Sequence, residues 1–169
     1  MKARGFSLIE LTVVLLIVSA VSAIAVVHLG GLTGRAEAED AVSRIAHVLG
    51  LAREMASRGG EPLSVRIRHD GRRMEILSAS GEELGGGATL PGRWRIAAVT
   101  IDGRASAGDG TVVPVSPQGL SPTWLMEIVD PRGRRHWVLA AGLSGQVLGM
   151  SNREKAQAIL GAVEGDDAD

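Results

Sequence analysis

The sequence predicts an α+β protein in which one long N-terminal helix packs on an antiparallel β-sheet. The first observation is a nearly uncharged apolar run from Phe6 to Leu32. The second is a stretch over residues 35–58 whose apolar residues recur at helical spacing. The third is a set of short segments after residue 59 in which apolar and polar residues alternate between glycine-rich turns. Helical patterns followed by a run of strands are typical of the α+β class.

Residues 6–29 are predicted to form a transmembrane helix. Glu10 is the only formal charge in the apolar run, and the run reaches the length of about 20 residues that a spanning helix needs. Lys2 and Arg4 precede the run, and no comparable basic cluster follows it directly. The positive-inside tendency therefore places the N-terminus in the cytoplasm and the rest of the chain outside.

Six residues at the start of the apolar run, Gly5-Phe6-Ser7-Leu8-Ile9-Glu10, carry the most specific signal. They resemble, at every position, the cleavage and methylation motif of type IV pilins and of the pseudopilins of type II secretion. The resemblance implies a pilin-like fold and a leader of residues 1–5. It also implies cleavage between Gly5 and Phe6 by a prepilin peptidase, methylation of the Phe6 amine, and a bacterial inner-membrane protein with a periplasmic domain.

Glu10 becomes the fifth residue of the mature chain in this interpretation. A charged side chain costs about 2.5–3.5 kcal/mol at the centre of a bilayer, so a carboxylate there is tolerated only when it is paired. The resemblance names the N-terminal amine of a neighbouring subunit as its partner and makes Glu10 the assembly residue. The expected partners are other pseudopilins, the prepilin peptidase, an inner-membrane assembly platform and the lipid bilayer.

An ordinary secretory signal peptide is the alternative for this N-terminus. The small residues of Ser19–Ala23 could form its cleavage site. Two features argue against it, because a signal peptide needs no carboxylate at the start of its apolar segment and because the run continues past that site to Val27.

Residues 30–58 are predicted to form a hinge and an amphipathic helix. Gly30, Gly31 and Gly34 are expected to interrupt the apolar helix, and Gly59-Gly60 to end the second one. One face of this helix is apolar and the other is charged. The apolar face comprises Val42, Ile45, Val48, Leu49, Ala52, Met55 and Ala56.

Residues 59–150 are predicted to form a β-rich periplasmic domain, followed by a C-terminal tail of residues 151–169. Turns are expected at Asp70-Gly71 and Pro131–Gly133, and a loop over Gly81–Gly92. The tail contains a helix candidate over Ser151–Val163 and an acidic end that we expect to be disordered. The predicted strands are Leu63–Arg68, Met74–Leu77, Trp94–Ile101, Thr111–Val115, Trp124–Val129, Arg135–Ala140 and Gln146–Leu148.

Composition excludes several classes of site. The 169 residues include no cysteine, so there is no disulfide and no thiol nucleophile. With one Phe, three Trp and no Tyr, the core must be mainly aliphatic. The net charge is −1, and loss of Lys2 and Arg4 with the leader leaves sixteen basic against nineteen acidic side chains. This balance gives no general case for binding nucleic acid, which we do not expect as a partner.

Two segments in the C-terminal half resemble the H-type minor pseudopilin. Val113–Pro122 resembles its strand followed by a "P-D-G-S" turn, with Gln118 where Asp is usual. Leu139–Leu148, which includes Gly142–Val147, resembles its closing "T-G-x-V" strand. The tail beyond Met150 is a departure. The resemblance implies a minor pseudopilin of the type II secretion system, built into the periplasmic pseudopilus that supports protein export across the outer membrane.

The alternative function is that of a minor pilin of a type IV pilus, which would aid pilus assembly or DNA uptake. Arg132, Arg134, Arg135 and His136 form a basic cluster beside Trp137, and phosphates and a stackable ring would suit DNA. The competing interpretation is a solvated hairpin tip whose alternate arginines face water.

No enzyme, cofactor or metal site is predicted. The acidic residues lack the spacing of a calcium cage, and the histidines fall in separate elements. Gly142–Gly145 lacks the last glycine of a nucleophile elbow, and Gly85–Gly87 lacks the strand–helix context of a phosphate loop. The carboxylates considered were Asp102, Asp109 and Asp166–Asp169, and the histidines were His28, His47, His69 and His136.

Overall fold

The computed structural model describes residues 8–68, 72–106 and 110–165, with the side chains of 23–33 and 160–165 left out. By contacts the chain divides into two compact units, Met1–Glu37 and Ala38–Asp169. The predicted turn at Asp70-Gly71 and the acidic end of the tail lie outside the described residues.

The first helix, α1, runs from Leu8 to Gly59. It passes through Gly30, Gly31 and Gly34 without a break, so the prediction that these glycines interrupt the helix is wrong. A glycine inside a helix costs about 1 kcal/mol relative to alanine, but it keeps its backbone hydrogen bonds. A proline would remove one of these backbone hydrogen bonds, and no proline occurs before Pro62. The proposed hinge role of this segment stays a prediction.

The end of α1 is set by Gly60, as predicted. Gly60 has a φ of 67°, and its N–H donates to the Ala56 carbonyl oxygen at 2.9 Å. This is the left-handed cap that commonly closes helices, and glycine adopts it without strain from a Cβ. Pro62 follows and cannot continue the helix.

In the part of the chain that the structure describes, nine strands form two antiparallel sheets. One sheet has the order β3-β2-β1-β6 and the other β5-β4-β7-β8-β9. A second helix, α2, follows the last strand. The bounds are β1 Leu63–Ile67, β2 Arg73–Leu77, β3 Ala88–Thr89, β4 Arg95–Ile101, β5 Arg104–Ala105, β6 Thr111–Val115, β7 Trp124–Val129, β8 Arg135–Ala140, β9 Val147–Met150 and α2 Arg153–Gly165.

The predicted fold class is confirmed, with two sheets where one was expected. β1 pairs with β2 on one side and with β6 on the other, so that Val65 lies opposite both Ile76 and Val113. β4 pairs instead with β7. Alternation along one strand shows which face is buried but not which distant strand pairs with it.

The core lies between α1, from Ala41 onward, and both sheets. The α1 face from Ala41 to Ala56 is buried at every third or fourth residue, which confirms the predicted apolar face. At the start of this face Ala41 is fully buried, whereas Val42 is only partly buried. Trp94 and Trp124 belong to the same core cluster and are each 1% exposed.

The five-stranded sheet also carries α2 on its other face. Ala156 of α2 packs against Leu125 and Leu139, with Trp137 and Ile159 partly buried around them. Val138 and Ala140 of β8 belong to the α1 core instead. Successive residues of β8 therefore serve two cores, as the two-residue period of a strand requires.

Candidate functional site

Glu10 lies in the first turn of α1 and is exposed. A carboxylate in a first helical turn is stabilised by the positive end of the helix dipole by about 0.3–1 kcal/mol at an exposed site. Among the described residues of the unit Met1–Glu37, the side chain of Glu10 is therefore open to contact from outside its own helix.

The residues on both sides of Glu10, from Leu8 to Val21, present apolar side chains on all sides of α1. Leu8 is 81% exposed, Ile9 75% and Leu16 72%, and the other large apolar side chains through Val21 are also exposed. A helix that is apolar all round is normally buried in lipid or protein. A continuous apolar surface of this extent marks a contact with a membrane or with other chains.

Two hydroxyl groups of this segment are satisfied within the helix itself. Thr12 Oγ1 donates to the Ile9 carbonyl oxygen at 2.8 Å, and Ser19 Oγ donates to the Leu15 carbonyl oxygen at 2.7 Å. Such bonds leave no polar donor that needs water. The segment can therefore enter an apolar environment without losing hydrogen bonds at these two residues.

Within the described part of the chain, none of the helices combines the length and hydropathy of a membrane span. The span over residues 6–29 stays a prediction. Gly5 and Phe6 lie outside the described residues, so their cleavage and methylation stay predictions as well.

Two arginines of the basic cluster of the β7–β8 hairpin are paired with carboxylates. Arg134 Nε lies 2.7 Å from Asp130 Oδ2, and Arg135 Nη1 lies 3.0 Å from Glu127 Oε1. Trp137, the ring proposed for stacking, is partly buried in the α2 cluster. These contacts favour the hairpin-tip interpretation over a DNA-binding surface, because two of the arginines already have carboxylate partners and part of the Trp137 ring is buried.

Asp130 organises this hairpin. Its side chain is 2% exposed, and Oδ1 accepts from the Arg132 N–H at 2.8 Å and the Arg134 N–H at 2.9 Å. Burial alone would raise the pKa of Asp130, but the backbone and side-chain hydrogen bonds from Arg134 and the bond from Arg132 outweigh it, so the pKa is lowered. His136 Nε2 lies 3.8 Å from Asp130 Oδ2, and its ring centroid is 4.9 Å from that of Trp94.

Arg53 of α1 joins two distant loops, a function that sequence patterns did not reveal. Its Nε donates to the Gly119 carbonyl oxygen at 2.5 Å. Its Nη2 donates to the carbonyl oxygens of Gly142 at 2.9 Å and Leu143 at 3.1 Å. One guanidinium therefore holds the loop after β6 and the loop after β8 against the end of α1, with backbone carbonyls as the acceptors.

The glycines of these loops are required by close packing. A Cβ at Gly142 would overlap the Ser121 carbonyl oxygen, and a Cβ at Gly145 would overlap the Arg53 guanidinium. Gly119 has a φ of 75°, and its carbonyl oxygen accepts from Arg53. It lies in a turn that is closed by the hydrogen bond from the Ser116 N–H to the Leu120 carbonyl oxygen. The loops are thus shaped by approach distances that only glycine permits.

No group of three or more histidine or acidic side chains lies close enough to hold a metal ion within residues 8–68, 72–106 and 110–165. The sequence contains no cysteine that could complete one.

Residues 1–26 match the prokaryotic N-terminal methylation motif. This match confirms the prediction of a prepilin-type N-terminus. No curated protein sequence matches the chain.

Two solved structures of the minor pseudopilin EpsH from the type 2 secretion system of Vibrio cholerae resemble this chain, each at 18% sequence identity. One aligns with a TM-score of 0.50 over 68% of this chain and 96% of its own length. The other aligns with a TM-score of 0.51 over 68% and 94%. The chain has the fold of a minor pseudopilin.

Within this pseudopilin fold, the two segments singled out by the sequence are neighbours. Val113–Pro122 contains the last three residues of β6 and the turn that follows, and Gly142–Val147 begins in the loop after β8. Arg53 binds carbonyl groups in both. The Gln118 departure lies in the turn itself, between Ser116 and Leu120, whose backbone groups bond to each other at 2.8 Å.

Proposed function

We propose that the chain is a minor pseudopilin of a type II secretion system, assembled with other pilin-like subunits into a periplasmic pseudopilus that supports protein export across the outer membrane. The observation that carries the proposal is the combination of a prepilin-type N-terminus with a minor pseudopilin fold. The N-terminal motif alone does not separate a pseudopilin from a pilin. The fold contributes the secretion assignment by its likeness to EpsH.

Processing and anchoring are parts of the same proposal. The peptidase removes residues 1–5, the Phe6 amine is methylated, and the helix beginning at Phe6 stays in the inner membrane with the domain in the periplasm. The exposed apolar side chains between Leu8 and Val21 support a lipid or protein environment for this segment. Glu10 pairs with the N-terminal amine of a neighbouring subunit during assembly.

The type IV pilin alternative is less well supported by the structure. The observation that favoured this alternative was the basic cluster at the β7–β8 hairpin. In the structure, Arg134 and Arg135 of that cluster are paired with Asp130 and Glu127.

The test is co-purification from a mild detergent extract of cells that express tagged versions of each pilin-like subunit of the secretion system. We expect the chain to retain those subunits and to begin at a methylated Phe6 by mass spectrometry of its N-terminus. Retention of type IV pilus subunits alone would favour the alternative. A mature chain that begins after Ala20 would exclude both, because the apolar segment would then be a removed signal peptide.

A further inference from the structure

Three arginine-rich segments lie together at one end of the domain. The Leu90 N–H donates to the Arg72 carbonyl oxygen at 2.7 Å, which joins the turn between β1 and β2 to the segment before β4. In that segment the ring centroid of Trp94 lies 4.9 Å from the ring centroid of His136 in β8. The turn between β7 and β8 is therefore the third member of the group. We call residues 72–73, 93–95 and 132–135 the basic end.

The basic end is the end of the domain that α1 enters. Arg44 Nη1 lies 3.5 Å from the Thr89 carbonyl oxygen, and Thr89 is paired in register with Arg73. Arg44 lies near the start of the unit Ala38–Asp169. Further along α1, Arg53 holds the loops after β6 and β8. The basic end and these two loops therefore lie at opposite ends of α1 within this unit.

The turn between β7 and β8 extends furthest toward the start of the unit. Val138 of β8 is level with Val42 of α1, because its partner Gly149 packs against Val42. The other end of β8 leads to the loop that α1 holds further along. From Val138 back to Arg134 the chain covers about 13 Å at the rise of a strand. The helix from Val42 back to Ala38 covers about 6 Å, so the turn reaches the level of Ala38.

Part of the basic end has no carboxylate partner. Within the described part of the chain, Arg72, Arg93 and Arg95 make no ion pair, and Arg93 and Arg95 are exposed. Asp70, in the same turn as Arg72, lies outside the described residues. The basic end keeps an excess of positive charge whether or not Asp70 is counted. The carboxylates that pair with its other arginines are Glu75, Glu83, Glu127 and Asp130.

The anchor holds the basic end close to a lipid surface. This step rests on the proposed function, which keeps residues 6–29 in the inner membrane. Only residues 30–37 separate this span from the unit Ala38–Asp169, and as a helix they cover about 12 Å. The lipid headgroup region takes up about 5–8 Å of that length. The remainder is shorter than the Debye length of about 8 Å at physiological ionic strength, so charges at the start of the unit lie within electrostatic reach of the headgroups.

We propose that the basic end docks on the anionic phospholipid headgroups of the membrane that carries the anchor. Arginine donates to phosphate oxygens with a planar fork, and clusters of basic residues are attracted to anionic leaflets. Because the anchor already holds the domain at this surface, docking is intramolecular and needs no high affinity. Release from the headgroups then accompanies entry of the subunit into a filament.

Nucleic acid fits this surface less well than lipid. The mature chain has sixteen basic against nineteen acidic side chains, so long-range attraction to a free polyanion is not expected. Trp137, the ring beside these arginines in the sequence, is partly buried against α2. The anchor also brings no nucleic acid to the arginines. DNA is therefore the competing ligand that the experiment includes.

The test measures how close the basic end lies to lipid headgroups. The chain has no cysteine, so Pro131→Cys and Leu143→Cys each give a single site for a fluorescent label in the full-length protein. Pro131 is exposed beside the basic end, and Leu143 is 68% exposed in the loop at the opposite end. Single copies are placed in nanodiscs of phosphatidylcholine, with or without phosphatidylglycerol, that contain a lipid with a nitroxide quencher on its headgroup. We expect phosphatidylglycerol to increase quenching several-fold at position 131 and to leave position 143 unchanged.

Charge reversal identifies the arginines responsible. Arg93→Glu combined with Arg95→Glu should remove the phosphatidylglycerol-dependent quenching at position 131, and added salt should weaken it in the parent chain. Arg58→Glu combined with Arg104→Glu is the matched control, because it makes the same change in net charge at the opposite end. Arg58 lies in the last turn of α1, and Arg104 is exposed and paired with Ile101 at the far end of β4. Should the reversed variant unfold, Arg93→Gln with Arg95→Gln replaces it and should reduce the quenching several-fold.

Three results would overturn the inference. They are equal quenching at position 131 with and without phosphatidylglycerol, quenching that survives the reversal of Arg93 and Arg95, and the same increase at positions 131 and 143. Short duplex DNA is added to nanodiscs of phosphatidylcholine alone. If it binds through Arg93 and Arg95 while phosphatidylglycerol has no effect, the surface belongs to nucleic acid and the inference is wrong.

Co-purification from the detergent extract tests the proposed function separately. If pilin-like subunits co-purify and phosphatidylglycerol has no effect on quenching, docking is wrong and the proposed function stands. If docking is observed and no subunit co-purifies, the secretion assignment fails and docking stands. A chain that does not insert into nanodiscs contradicts the anchor and docking together.

Discussion

Replacing Asp130 by asparagine tests the buried carboxylate of the β7–β8 hairpin. Asp130 accepts two backbone N–H groups on Oδ1 and the Arg134 guanidinium on Oδ2. Asn at this position keeps one acceptor but turns an NH₂ group toward Arg134. Hydrogen bonds to charged groups contribute about 1.5–3 kcal/mol each. Because Arg134 is 51% exposed and can move into water, we expect a loss of about 2 kcal/mol rather than a full buried-pair penalty.

The assay is urea unfolding of the full chain in detergent, followed by tryptophan fluorescence, since Trp94 and Trp124 are buried in the domain. With an m-value of about 2 kcal/mol per molar, the midpoint should fall by about 1 M. Asp40→Asn is the control, because Asp40 and Arg44 form an ion pair with both side chains 46% exposed. Its loss should change stability by less than about 0.5 kcal/mol.

The pH dependence gives the result that would refute this reasoning. The pKa of Asp130 is lowered in the folded state, so its contribution is present above the unfolded pKa of about 3.9 and is lost as the pH falls through the folded value. The difference between wild type and Asp130→Asn should therefore be constant near neutrality and shrink below about pH 4. A difference that grows on acidification, or none at pH 7, would show that the carboxylate is not stabilising.

Three further predictions concern processing, assembly and the loops. Gly5→Val should leave the leader attached, because a β-branched side chain replaces an open backbone at the cleavage site, and mass spectrometry of the N-terminus would detect it. Glu10→Leu and Glu10→Gln should insert in the membrane but fail to crosslink to partner subunits or to support secretion, since two charges about 4 Å apart attract by ~4 kcal/mol at an effective dielectric of 20. Wild-type crosslinking and secretion by Glu10→Leu would contradict that pairing. Gly142→Ala should destabilise the domain by about 1–3 kcal/mol through overlap with backbone atoms. Gly50→Ala, with open space around its Cβ, should instead stabilise α1 by about 0.5–1 kcal/mol, and urea unfolding of both variants measures the contrast.

Much of the local structure follows from the sequence because the signals are local. β6, β7 and β8 begin and end at the predicted residues, where turn-forming residues bound short apolar or alternating runs. β3 and β5 have two residues each and carry no detectable period. The prediction that Gly30, Gly31 and Gly34 interrupt α1 was wrong, because the low helix propensity of glycine weakens a helix without ending it.

The arrangement of the distant parts could not be predicted in the same way. Arg53 has the spacing of a residue on the polar face of α1, yet its acceptors lie 66 to 90 residues further along the chain. The basic cluster was visible, but its pairing with Asp130 and Glu127 depends on the register of β7 and β8. Contacts of this kind are fixed by strand pairing, which no local pattern specifies.

The order in which the domain is synthesised sets a demand on its folding. The buried face of α1 ends at Ala56, while Val138 and Ala140, which cover part of it, come about 80 residues later. At about 5–20 residues per second, that face waits roughly 4–16 s for its partners. During this interval the core that contains the buried face of α1 lacks its two β8 residues. The nascent chain is therefore most exposed to aggregation before its eighth strand emerges, and a chaperone that holds apolar helices would act in that window.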